Sequence, residues 1–158
     1  MHPNARLIES FYTAFQRRDH AAMAASYHPD IHFSDPVFTD LRGFRAAAMW
    51  RMLCERGKDL ELTFSDVQAD DRRGSAGWVA RYTFSQTGRR VVNVISAEFE
   101  FEGGKIIRHR DSFPLWRWAS QALGLSGMLL GWAPPVQARI RAQSARTLEA
   151  FIARNGLG

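Results

Sequence analysis

The feature that most constrains the fold is an unbroken two-residue alternation near the middle of the chain. In "VVNVISAEFEF", Val91, Asn93, Ile95, Ala97, Phe99 and Phe101 fall on one face and mostly polar residues on the other. Strand side chains alternate faces with a period of two, so this run reads as one long, half-buried strand. "EGGK" follows as a hairpin turn and returns the chain into "KIIRHRDSF". Upstream, "LELTFSDV" and "WVARYTFSQ" also read as strands, with "DDRRGSAG" and "TGRR" as turns by composition. Four strands joined in this way form an antiparallel meander, which can leave one face wet but must cover the other.

The flanking segments supply that cover. Leu7, Ile8, Phe11, Tyr12 and Phe15 form a helical stripe behind Pro3 and Asn4. "HAAMAASY" predicts a short second helix ended by "HPD", and "IHFSDPVF" a short strand stopped by Pro36. After a loop through Arg42 and Gly43, "FRAAAMWRMLCERG" predicts a helix closed by Gly57. Beyond Pro114 the chain turns helical again in "LWRWASQALG". A last helix starting at Pro134 or Pro135 carries Val136, Ile140, Leu148, Phe151 and Ile152 on its apolar side. The fold class is therefore α+β, with helices covering one face of a curved antiparallel sheet.

The 158 residues suit one domain with a single core, and 46% hydrophobic with 23% charged residues is a globular composition. The net charge of +5 comes from arginines scattered over every element, with no basic block longer than two, so no nucleic-acid partner is expected. One cysteine, Cys54, excludes an intrachain disulfide and any CxxC motif. "MHPNARLIES" lacks a signal-peptide core, and the apolar patch from Ala122 to Pro135 is too short to span a bilayer. A cytoplasmic protein without stable membrane insertion is expected.

The chemistry centres on "KIIRHRDSF". Alternation puts Ile107, His109, Asp111 and Phe113 on one face, a mixture of core and ionisable groups. Asp35 likewise shares a face with Ile31 and Phe33. A carboxylate on an apolar face is costly to ionise, which raises its pKa toward general-base values, and two such groups can divide acid and base roles. The plain alternatives stay open: "SDP" is ordinary turn chemistry, and His109 with Asp111 can be a buried hydrogen-bonded pair that only fixes strand position. Asn93 and Tyr82 are candidate donors to a substrate oxygen. Phe11 and Tyr12 read most simply as core. Trp116, Trp118 and Trp132 suit either the wall of an apolar pocket or an interface. There is no HExxH, Gly-rich phosphate loop or GxSxG, and the five histidines have no convincing ligand spacing. No metal and no cofactor is implied.

The order of elements, with "FYTAFQRRDHAAMAASYHPDIHFSDPVF" at the front and "FEFEGGKIIRHRDSF" at the back, resembles the nuclear transport factor 2-like superfamily. That group includes ketosteroid isomerases, limonene-epoxide hydrolases and SnoaL-like polyketide cyclases. The resemblance covers roughly residues 4 to 115 and implies a cone-shaped, cystatin-like α+β fold. It divides the chain into a domain over residues 1–115 and a C-terminal helical extension over 116–158, packed on the same domain or on a partner subunit. Asp35 in "FSDPVF" matches the proton-shuttling aspartate of the isomerases. Phe11 and Ala97 stand where those enzymes carry their two oxyanion donors, a loss worth about 3–4 kcal/mol per donor. "GKIIRHRD" matches the last strand of SnoaL-like cyclases, which makes Asp111 the acid/base group with His109 beside it. The Arg-x-Asp pair of epoxide hydrolases is not found between Val91 and Phe101.

The resemblance thus implies cofactor-independent acid/base chemistry of isomerase, cyclase or hydrolase type on a small hydrophobic carbonyl compound. Asp111, Asp35 and His109 are the expected catalytic residues. Asn93, Tyr82, Tyr12, Phe11, Phe33 and Trp116 are the expected substrate-binding residues, in a homodimer formed through the sheet. The competing reading is a non-enzymatic module of the same fold that binds a small hydrophobic ligand or dimerises. A further one makes the tryptophan-rich tail a membrane-surface or partner contact.

Overall fold

A computed structural model describes residues 1–158. Helix α1 (Pro3–Gln16) is capped by His2, whose Nδ1 accepts from the Asn4 amide, and α2 (His20–Ala25) by Asp19, which accepts from Ala22 N. Strands β1 (Tyr27–Ser34) and β2 (Leu41–Arg42) precede α3 (Phe44–Arg56), which Gly57 ends. Then come β3 (Glu61–Ala69), β4 (Arg73–Phe84), β5 (Arg89–Glu102) and β6 (Lys105–Ser112). The chain finishes with α4 (Leu115–Leu123), α5 (Leu125–Leu130) and α6 (Pro134–Arg154). The sheet order is β2-β1-β6-β5-β4-β3, antiparallel throughout except that β1 runs parallel to β6. This is the mixed α+β architecture expected, with the meander at its centre.

On β5 every second residue from Val91 to Phe101 is buried, as the alternation requires. The inner face of the sheet closes on α1 and α3, burying Phe11, Tyr12, Phe15, Phe33, Trp50 and Phe99 almost completely. Strand β3 carries a bulge between Ser65 and Gln68, with Asp66 at φ +55°. The C-terminal segment is part of the same core. Leu148, Phe151 and Ile152 of α6 join it, with α6 packed on α3. Strand β6 ends opposite Ser96, which leaves the first half of β5 without a strand on that side. Helix α4 lies there instead: Val92 N donates to Gln121 Oε1 at 2.7 Å and Arg89 Nε to the Gln121 carbonyl at 2.8 Å.

Several local expectations are corrected. "YHPD" is the start of β1, not a helix end; Tyr27 pairs with Ile106, and the ladder is irregular up to His32, where Pro29 has no N–H to offer. Leu41 and Arg42 form a short strand against Phe33 and His32. "RGSAG" is strand, not turn. Gly74 is there because a Cβ would sit 2.8 Å from Ile8 Cδ1 and 3.0 Å from the Gln68 carbonyl, so its lack of a side chain lets α1 close on β4. In β6 a bulge opposite Glu100–Phe101 adds one residue, so Ile106 rather than Ile107 faces the core. His109 and Asp111 lie beyond the bulge and point inward.

Candidate active site

His109 is fully buried and Asp111 is 4% exposed. His109 sits in an aromatic box: its ring centroid is 4.4 Å from that of Phe99, 5.0 Å from Phe33, 5.5 Å from Phe11 and 6.0 Å from Trp50, which stacks nearly parallel to it. Such a box leaves the imidazole only two polar exits. Nδ1 meets Tyr27 Oη at 2.8 Å and Nε2 meets Asp111 Oδ1 at 3.0 Å.

Counting donors gives this chain a direction. The Trp50 indole N–H donates to Tyr27 Oη at 2.8 Å. The single hydroxyl hydrogen of Tyr27 is satisfied within the chain only when it goes to His109 Nδ1, the arrangement in which the imidazole carries its proton on Nε2 and donates it to Asp111. Asp111 Oδ1 also receives the Trp78 N–H, at a long 3.4 Å. The relay therefore runs from Trp50 through Tyr27 and His109 to Asp111. Asp111 Oδ2 makes no hydrogen bond within the chain, nor is it sealed from solvent-sized space.

Asp35 stands next to this terminus. Phe33 pairs with His109 and Ser34 with Arg110 along the parallel β1–β6 ladder, so one more step brings Asp35 alongside Asp111. Its Oδ1 accepts from Val37 N at 2.7 Å and Phe38 N at 2.6 Å, the turn role that "SDP" allows. Burial nevertheless pushes its pKa up to about 7, against those two amides, and the negative charge of Asp111 adds to the rise. Asp35 is at once a turn residue and a carboxyl that titrates near neutrality.

Three polar groups surround the pair. The Tyr12 hydroxyl is buried without a hydrogen-bond partner, and burial, then the Asp111 charge, holds its pKa well above the usual phenol value. The Asn93 amide is 8% exposed and makes no hydrogen bond in the chain. Tyr82 Oη accepts from the Trp118 indole N–H at 2.7 Å; burial raises its pKa and the Asp35 charge adds to that. Ala97 faces Asp111 across the β5–β6 ladder and offers no donor.

The structure thus brings Asp35, His109, Asp111, Tyr12 and Tyr82 into one electrostatic neighbourhood, with Asn93 on the same sheet face. Phe11 and Phe33 wall in the histidine. Trp116 is elsewhere: it is 44% exposed, and its indole N–H donates to the Met128 carbonyl at 3.0 Å. Two surface grooves lie elsewhere too. One of about 680 Å³ lies between polar residues such as Glu98, Glu100, Arg108 and Arg110, and one of about 450 Å³ on the flank of α1 and α2. Tyr27, Trp50 and Trp78 were not among the expected site residues, and Trp118 was read only as a pocket wall or an interface. Trp78 could have been found by counting back in twos from Tyr82, whereas Tyr27 was hidden by reading its segment as helix.

The sequence profile of the SnoaL-like domain matches residues 8–109, about two thirds of the chain. The chain belongs to the SnoaL-like family. No curated protein matches it in sequence. Solved structures give the same architecture for this SnoaL-like protein. It is similar to a Mycobacterium tuberculosis LEH-like epoxide hydrolase, at 21% identity and a TM-score of 0.62 over 82% of this chain and 96% of that one. It is also similar to a candidate polyketide cyclase from Xanthomonas campestris, at 23% identity and 0.61 over 75% and 96%. A Catenulispora acidiphila protein with a ketosteroid isomerase-like fold, bound to trimethylamine, aligns at 10% identity and 0.64 over 73% and 91%. These likenesses show the nuclear transport factor 2-like fold.

Proposed function

We propose that this SnoaL-like protein moves a proton on a small hydrophobic carbonyl compound, without a cofactor, and that Asp111 is the group that moves it. The observation that carries the reading is the one-directional relay from Trp50 to Asp111, which holds Oδ1 and leaves Oδ2 unpartnered beside Asp35. Oδ2 takes the proton from the carbon next to the carbonyl; the C–H electron pair becomes the C=C bond of an enolate as the carbonyl π pair moves onto oxygen. Tyr12 Oη and the Asn93 amide, both without partners in the chain, are the groups suited to donate to that oxygen as it gains charge. Asp35 titrates near neutral pH and so can give or accept the second proton. Return of the proton at another carbon is an isomerisation; attack of the enolate on a second carbonyl is a cyclisation. His109 positions Asp111 and does not touch the substrate.

Residues of the C-terminal helices lie beside this site. Trp118 of α4 holds Tyr82, and Arg141 of α6 donates to the Pro36 carbonyl at 2.9 Å, one residue from Asp35. The second reading, a ligand-binding module with a structural His–Asp pair, draws on the deep burial of that pair. A ligand-observed NMR screen of small hydrophobic ketones, followed by turnover assays of the binders, separates the two. The enzyme reading expects Asp111→Asn to keep binding and lose turnover by about 10²–10⁴-fold. Binding with no turnover by the wild type supports the module.

A further inference from the structure

Helix α5 is packed the opposite way round from a core helix. Its inner side is made of glycine: a Cβ at Gly127 would overlap the Ala119 carbonyl, and one at Gly131 would lie 2.8 Å from Ala119 Cβ. The helix therefore presses its backbone onto α4 through its smallest residues. Leu125, Met128, Leu129 and Trp132, spaced i, i+3, i+4 and i+7, form a stripe that faces outward. With Leu130 they are 51% to 67% exposed, and the half-exposed Trp116 joins them from α4. Single exposed apolar residues are ordinary, but a continuous stripe of this kind marks a contact surface.

We propose that the α4–α5 hairpin is a docking surface for an anionic lipid bilayer, lying in the plane of the headgroups. Charge selects this occupant. From Ser112 to Leu148 the chain has no Asp or Glu but has Arg117, Arg139, Arg141 and Arg146. Arg117 adjoins Trp116, and Arg139 lies in the α6 segment that follows Trp132. Arg141 is held by the Pro36 carbonyl, so Arg117 beside Trp116 is the charge that decides: two copies packed through this face would meet it with no acidic residue of α4 or α5, whereas an anionic surface answers it. The tryptophans are also prepared for a poorly hydrated environment. Trp116 Nε1–H donates to the Met128 carbonyl and Trp132 Nε1–H to the Leu129 carbonyl at 2.8 Å, so both rings can enter the acyl boundary with no stranded donor. No helix is long and apolar enough to cross a membrane, which leaves the interfacial plane as the site of contact.

The test is co-sedimentation of the full chain with vesicles of phosphatidylcholine alone and of phosphatidylcholine with phosphatidylserine. Binding is expected to the second kind, falling as salt rises. The double variant Leu129→Ser, Trp132→Ser is expected to bind at least about tenfold more weakly, and Arg117→Glu about fivefold or more. Circular dichroism of each variant checks that the fold is kept, and because the altered side chains face solvent the sheet has no reason to lose it. Failure to bind phosphatidylserine vesicles at low salt overturns the proposal, as does unchanged binding by the double variant. A concentration-dependent dimer that the double variant dissociates, with no vesicle binding by the wild type, assigns the surface to a second copy instead.

Discussion

Two side chains decide how the buried pair behaves. Tyr27 is the only acceptor for the Trp50 N–H and the only donor to His109 Nδ1. Tyr27→Phe strands both, at about 1–3 kcal/mol for each unpaired buried group. Urea unfolding should therefore show a loss of about 2–4 kcal/mol, and ¹⁵N spectra should show His109 no longer held in one tautomer. Full stability with an unchanged tautomer would remove Tyr27 from the relay. Asp35 acts through pH. Its carboxyl has a pKa of about 7 in the folded chain against 3.8 ordinarily, so between these values the folded state holds a proton that the unfolded chain has released. Stability linked to Asp35 is complete below about pH 4 and is lost as pH rises to about 7. The loss is on the order of 2–4 kcal/mol once partial exposure is allowed for. Asp35→Asn keeps an acceptor for the Val37 and Phe38 amides but cannot ionise. It is expected to flatten this part of the stability–pH curve and to be more stable than the wild type at pH 8, as read by denaturant unfolding at several pH values.

Among the elements, those with strong periodicity were legible and those set by neighbours were not. The β5 alternation and the α1 stripe depend only on which residues are apolar, and both stand as read. The start of β1 did not show, because Tyr27 becomes strand by pairing with Ile106, a partner far away in the chain. The extra residue in β6 was equally hidden, since a bulge changes the face without changing the composition; His109 and Asp111 kept their inward face because they follow it. Helix α5 carries no inward apolar stripe at all, so periodicity had no core helix to detect. Helix α6 shows the reverse, with its apolar residues near its C-terminal end meeting α3. Phe151 is buried there, with the Arg56 guanidinium 5.1 Å from its ring centroid. Phe151→Ala should cost about 3–5 kcal/mol and leave one cooperative unfolding transition, because α6 and the sheet share one core. Two separated transitions in the wild type would show instead that the C-terminal extension folds independently.

At the scale of the molecule, the sheet supplies the inward face, the helices remove water from it, and α6 joins the same core. Sequence alone brought Asp35, His109 and Asp111 together on inner faces. The relay that orients Asp111 depends on Tyr27 and Trp50, which reach His109 from β1 and α3 and become its neighbours only through tertiary packing. For the same reason Trp116 could not be separated from Trp118 in advance: two residues apart on α4, one points outward to α5 and the other inward to Tyr82. The central claim is that Asp111 is a proton-transfer group and not merely half of a structural pair. It is tested most directly by incubating wild type and Asp111→Asn with a panel of small hydrophobic ketones in D₂O and following deuterium entry at the carbon next to the carbonyl by NMR. The account predicts exchange catalysed by the wild type that falls by at least about a hundredfold in a folded Asp111→Asn. Equal exchange by the two proteins would contradict it.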